Sequence, residues 1–140
     1  MSVAETAISN PRLMRPKFVH LRTHSAYSLL EGALPVKTLT QMALASSMPA
    51  LAVTDRNNLF GALEFAETAA RLGVQPIIGA TLNIRDGEIG GDLVFLVKNE
   101  TGYTNIMALI SAAHLESEGK QGPGAAFEDI ADFADGLICL

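Results

Sequence analysis

The sequence predicts an α/β fold built on a mainly parallel sheet or barrel. Short apolar runs of strand length alternate with segments whose apolar residues recur at helical spacing. Each helical segment leads into a further apolar run, as right-handed parallel crossovers require. A chain of 140 residues that is 49% hydrophobic is long enough to bury one core and too apolar to be disordered along most of its length.

Residues 1–16 read as a loose arm leading into a first strand at about 18–23, "FVHLRT". Strand alternation sends His20, Arg22 and His24 one way and Val19, Leu21 and Thr23 the other. "PVKTLTQMALASSM" follows as a helix, with Pro35 suited to its first turn and Val36, Leu39, Met42 and Ala43 facing inward. "PALAVTD" has the pattern of a strand buried on both sides, ending at Asp55. The next helix, "NNLFGALEFAETAARLG", places Leu59, Leu63, Ala66 and Ala70 on one face, and Gly73 stops it.

"VQPIIGATLNI" is a third extended stretch, turned by "RDGEIGG" into a return strand, "DLVFLVKN". "ETGYTNIMALISAAH" is a helix with Tyr103, Ile106, Met107 and Ile110 inward, Thr101 as cap and His114 near its C-terminal dipole. A loop over 117–126, a short helical piece near 126–132 and a strand in "GLICL" complete the chain. Five or six strands cannot close an eight-stranded barrel. The chain also stops within an apolar strand, so it is expected to be a fragment of a longer polypeptide. An open half-barrel exposes strand edges and apolar surface, and self-association is expected.

Charge is uneven. Arg12, Arg15, Lys17 and Arg22 face only Glu5 within residues 1–30, whereas Glu116, Glu118, Glu128, Asp129, Asp132 and Asp135 face only Lys120 within 116–135. A net charge of −5 makes this chain a poor binder of polyanions, so any grip on DNA must come mostly from elsewhere. No apolar run reaches the roughly 18–20 residues a bilayer crossing needs. The N-terminus lacks a secretory h-region, and the single Cys139 suits a reducing compartment. A cytoplasmic protein without a membrane partner is expected.

Active sites of parallel α/β folds gather beyond the C-terminal ends of strands. His24-Ser25, Asp55-Arg56-Asn57-Asn58 and Gly79-Ala80-Thr81 fall at such ends, and Glu31 can reach the same rim. His24, Glu31, Asp55 and His20 are the candidate ligands of a Zn²⁺ or Mn²⁺ site, with Arg22 and Arg56 placed among them. Like unit charges about 4 Å apart repel by about 4 kcal/mol at an effective dielectric near 20, and a dication doubles that. The guanidinium groups can instead pair with Asp55 or Glu31, and a salt-bridged rim is the expectation. His20 reads as a core or rim histidine and His114 as a helix-end residue. Ser25 and Ser28 have no triad spacing, and Gly87, Gly90 and Gly91 form a turn with no phosphate-cradling pattern.

"FVHLRTHSAYSLLEGALPV", "MPALAVTDRNNLFGALEFAETAARLGVQPIIGATLNI" and "LVFLVKNETGYTNIMALISAAH" together resemble the polymerase-and-histidinol-phosphatase (PHP) domains that begin bacterial DNA polymerase III alpha subunits. The resemblance covers residues 17–140 and implies the first half of a distorted seven-stranded β/α barrel, TIM-barrel-like. Active members hydrolyse phosphoesters with bound metal ions, and some are 3′→5′ proofreading exonucleases. The family's motifs read HLHxHS…LDG, TDH and GxE. On them, His24, Glu31 and Asp55 hold retained ligand positions, while Arg22, Arg56 and Thr81 replace ligands.

That pattern resembles the degenerate domains of polymerases that rely on a separate exonuclease subunit. It implies no catalytic residue and no metal in this segment. It further implies a scaffold and docking platform, with the other polymerase III subunits, the exonuclease above all, and the remaining domains of the same chain as partners. DNA contact would come through the parent protein, a nucleotidyltransferase that would use Mg²⁺. The alternative is a metal-dependent phosphoesterase or 3′→5′ exonuclease, with Zn²⁺ or Mn²⁺ held by His24, Glu31 and Asp55.

Overall fold

The computed structural model describes residues 18–115 and 122–140; the expected arm over 1–16 and part of the loop over 117–126 lie outside them. In chain order the elements are α1 (Val36–Ala45), β1 (Ala50–Arg56), α2 (Ala62–Leu72), β2 (Gln75–Asp86), β3 (Ile89–Val97), α3 (Glu100–Leu115), β4 (Ala125–Ala126), α4 (Phe127–Asp132) and β5 (Leu137–Cys139). β1 pairs in parallel with the first half of β2, from Ala50 opposite Gln75 to Arg56 opposite Thr81. The second half of β2 continues past the end of β1 and pairs there with β4 at Ile84 and Arg85. β3 returns antiparallel to β2 through a two-residue loop in which Gly87 takes φ +58, a conformation natural for glycine in tight hairpins. β5 is antiparallel to β3, so only β3 runs against the others in a mixed α/β sheet.

The helices cover one face of the sheet. α1 and α2 bury Val36, Phe65 and Ala69 against Leu51 and Val53, and α3 buries Ile106 and Leu109 against Ala80, Leu82 and Phe95. On the opposite face Ala52 of β1 packs with Val94 and Leu96 of β3, strands that are not hydrogen-bonded neighbours. The sheet therefore curls, and the curl buries that face without help from a helix. No helix among the described residues is long and apolar enough to cross a membrane.

Three sequence expectations need correction. Residues 18–23 do not form a regular strand. The Ala52 N–H donates to the His20 carbonyl at 2.9 Å and the Thr54 N–H to the Thr23 carbonyl at 2.8 Å. Three residues of one segment thus span two of the other, a bulge that breaks the alternation expected of His20, Arg22 and His24.

The helix faces are also rotated from those expected. α2 buries Ala62, Phe65, Thr68 and Ala69 and leaves Leu63 71% exposed. α1 buries Thr40 with Val36 and Ala43 and exposes Met42, while α3 buries Gly102, Ile106, Leu109 and Ala113 and leaves Tyr103 and Met107 partly exposed. Small residues let each helix approach the sheet closely, and the larger side chains move to the margins. A Cβ on Gly102 would lie 1.9 Å from the Gly136 carbonyl oxygen. Finally, the cap of α3 is Asn99, whose Oδ1 accepts the Gly102 N–H at 2.9 Å; Thr101 lies inside the first turn.

Candidate functional site

β1 carries Asp55 to its C-terminal end, where the carboxylate is almost fully buried. It faces inward, to the loop over residues 24–32. Its Oδ1 accepts the Ser25 N–H at 2.7 Å and the Ser28 hydroxyl at 2.6 Å, and its Oδ2 accepts the Ser25 hydroxyl at 2.7 Å. The serine oxygens pass the network on, Ser25 Oγ accepting the Tyr27 N–H at 3.1 Å and Ser28 Oγ the Arg56 N–H at 3.0 Å. Asp55 is the internal anchor of the loop. Gly32 closes it, because a Cβ there would meet the Ser25 carbonyl oxygen at 1.8 Å.

The next residue, Arg56, extends to the rim. Its Nη1 and Nη2 donate to the two oxygens of Asp92 at 2.7 and 2.8 Å, a bidentate pair. Its Nε lies 2.6 Å from Glu31 Oε1, a close ion pair without hydrogen-bond alignment, since the buried Nε finds no hydrogen-bond acceptor. The two carboxylates, Asp92 as hydrogen-bond acceptor foremost and then Glu31 as close counter-ion, hold the guanidinium charged even more firmly than usual. In return the hydrogen bond from Arg56 lowers the Asp92 pKa below the ordinary carboxylate value, against the opposing effect of burial.

Glu31 reaches His24 as well, with Oε2 3.3 Å from Nδ1. The other ring nitrogen, Nε2, lies 3.2 Å from Thr81 Oγ1, whose hydroxyl donates to the Thr54 carbonyl at 2.9 Å. Both nitrogens of His24 therefore face protein oxygens.

His24, Glu31, Arg56 and Thr81 come together at the rim as the sequence placed them. Asp55 does not join them, and neither arginine pairs with it. Arg22 is exposed beside them, near enough to help depress the Asp92 pKa. His20 is no core residue; it is exposed, its ring edge-on to Phe18 at 4.6 Å. Together with Arg22, His24, Glu31 and Met42 it borders a groove of about 560 Å³. His114 ends α3 and its Nε2 bonds the Asn57 carbonyl at 2.8 Å. Ser25 and Ser28 are fully buried and serve Asp55, so neither is placed as a nucleophile.

Asp92 was missed by sequence reasoning. Its signal was faint: it stands opposite Asn83 on β2, on the side of the sheet that Arg56 reaches. Among the described residues no three His, Cys, Asp or Glu side chains converge to hold a metal. The donor set does not fit a divalent ion. Asp55 is saturated by serine and amide donors, Glu31 and Asp92 both contact a fixed cation, and that cation occupies the space between them.

Residues 20–140 match the model of the PHP domain family. The chain is 43% identical over 128 residues to the DNA polymerase III subunit alpha of Rickettsia felis, covering 91% of this chain and 11% of that protein. It is 42% identical over 133 residues to the Caulobacter vibrioides subunit, covering 88% and 12%. Against the Escherichia coli K12 subunit it is 38% identical over 131 residues, covering 91% and 11%. The chain thus spans about a ninth of the length of these relatives.

Among solved structures, it is similar to a Bifidobacterium adolescentis protein proposed to be a metal-dependent phosphoesterase, with TM-score 0.57 and 18% identity over 72% of this chain and 36% of that one. A Chromobacterium violaceum amidohydrolase, solved with bound sulfate and no metal, gives TM-score 0.59 and 26% identity over 69% and 33%.

Proposed function

The chain belongs to the PHP domain family, and from that premise we propose that it is a non-catalytic module of a DNA polymerase III alpha subunit, acting as a scaffold and as a docking platform for a proofreading exonuclease subunit. Further strands of the same polypeptide complete a seven-stranded barrel around the present sheet. The parent protein adds deoxynucleotides with Mg²⁺ in the cytoplasm, through residues outside this segment, and makes most of the DNA contact there.

One observation carries the reading: the guanidinium of Arg56 sits between Glu31 and Asp92, at 2.6 and 2.7 Å, and so engages Glu31, a carboxylate that a metal ion at this rim would need. A tethered cation gives the rim the cross-link that a metal would give, joining the 24–32 loop to β3. It offers no open coordination position and no activated water. Active hydrolysis by Zn²⁺ or Mn²⁺ at His24, Glu31 and Asp55 is the competing reading, suggested by the phosphoesterase likeness. The inward, saturated carboxylate of Asp55 weighs against it.

The test is nuclease and phosphoesterase activity of the intact alpha subunit with Mn²⁺ or Zn²⁺ supplied, beside co-purification with the exonuclease subunit. The scaffold reading expects no hydrolysis and a stable complex. Hydrolysis that His24→Ala abolishes would overturn it.

A further inference from the structure

Among the described residues, Arg22 has no partner in the ion-pair network of the rim. Glu31 and Asp92 both contact Arg56, and Asp55 is filled by its serine donors. No nearby carboxylate is left for a second guanidinium. Arg22 borders the groove of about 560 Å³, whose lining is otherwise mainly apolar and includes Leu39, Met42, Met48 and Leu51. Met42 is 54% exposed there.

The backbone beside the groove is only partly paired. The His20 and Thr23 carbonyls accept from Ala52 and Thr54 of β1, whereas the main-chain groups of Leu21 and Arg22 bond nothing among the described residues. Open backbone groups next to exposed apolar side chains invite an added extended segment. Such cover takes the Arg22 guanidinium out of water, and a charge so placed has to be paired. A carboxylate matches the planar fork of an arginine.

We propose that Arg22 is a clasp: a segment of the same polypeptide beyond Leu140 lies over this groove and presents a carboxylate to the guanidinium. The clasp, which rests on the reading that further strands of that polypeptide complete the barrel, adds the charged contact that fastens them. The polypeptide available is ample, since this chain covers 11% of the Rickettsia felis relative. Charge selects the contact. Arg56 lies near Arg22 on the rim, both guanidinium groups acting on Asp92, so a segment without a carboxylate would leave like charges uncompensated under cover.

The intact alpha subunit tests the clasp in two steps. Methionine oxidation by dilute peroxide, read by peptide mass spectrometry, reports cover: Met42 should react several-fold more slowly in the native subunit than in the unfolded one. Carbodiimide coupling reports the pairing, because it condenses an amine and a carboxylate in contact into an amide, the lost water converting the carbodiimide to a urea. Applied to Arg22→Lys, it should join residue 22 to an aspartate or glutamate that follows residue 140. In Arg22→Glu, which sets two carboxylates against each other, Met42 should oxidise several-fold faster than in the wild type. Met42 reacting alike in native and unfolded subunits would remove the covering segment, and the barrel reading with it. A protected Met42 with no coupling, with coupling only to Glu31 or Asp92, or with protection unchanged in Arg22→Glu, would overturn the clasp and leave the barrel standing.

Discussion

Replacing Asp55 by alanine separates an anchor from a metal ligand. The substitution leaves the Ser25 N–H and the hydroxyls of Ser25 and Ser28 without their acceptor, in a site where both serines are fully buried. A buried donor left unpaired costs about 1–3 kcal/mol. Three such donors, partly relieved by rotation of the hydroxyls, give a loss of about 3–5 kcal/mol. For a chain of this size that corresponds to a fall in unfolding temperature of about 10–20 °C.

Asp55→Asn keeps one oxygen for the Ser25 N–H and should cost about 1–2 kcal/mol. Urea and thermal unfolding followed by circular dichroism measure both variants. A loss below about 1 kcal/mol for Asp55→Ala, within the range of ordinary surface substitutions, would refute the anchoring role.

Acidification tests the rim. Asp92 is depressed in the folded state from an ordinary value of 3.8, so its stabilising contribution is full above that value and is lost as pH falls through the lower folded value. Stability below about pH 4 should therefore fall less steeply in Arg56→Gln than in the wild type, which equilibrium unfolding across pH 2–6 would reveal. Tyr27 should ionise above its usual 10.0, because its hydroxyl donates to Glu64. Ultraviolet titration of Glu64→Ala should show that phenol returning toward the ordinary value, and an unchanged titration would remove the hydrogen bond from the account. Gly32→Ala drives a Cβ into the Ser25 carbonyl, a backbone group that cannot step aside. A loss of about 1–3 kcal/mol or more is expected, and an unaltered unfolding midpoint would contradict the packing of the loop.

The sequence made the alternation of elements legible because buried strands such as Ala50–Arg56 and long helices such as Glu100–Leu115 leave strong periodic signals. It misplaced the helix faces because periodicity weights large side chains. Here Ala62, Ala69, Gly102 and Ala113 set the approach to the sheet, and their burial follows from tertiary packing. The bulge near Arg22 was invisible, since an extra residue in a ladder leaves no mark on composition. At the rim, motif positions located His24, Glu31, Arg56 and Thr81. They could not show that Asp55 turns inward, because orientation depends on the serines of a loop that crosses beneath it. Asp92 lay outside every motif; only the pairing of β2 with β3 brings it to Arg56.

The central claim is that the guanidinium of Arg56 occupies the place of a metal ion. It is tested most directly by elemental analysis of the intact alpha subunit after equilibration with Zn²⁺ or Mn²⁺ and removal of loosely held ions, compared with a variant carrying Arg22→His, Arg56→His and Thr81→Glu together. The account predicts no ion retained at this site in the wild type and retention in the triple variant. Stoichiometric metal in the wild type, lost on His24→Ala, would contradict it.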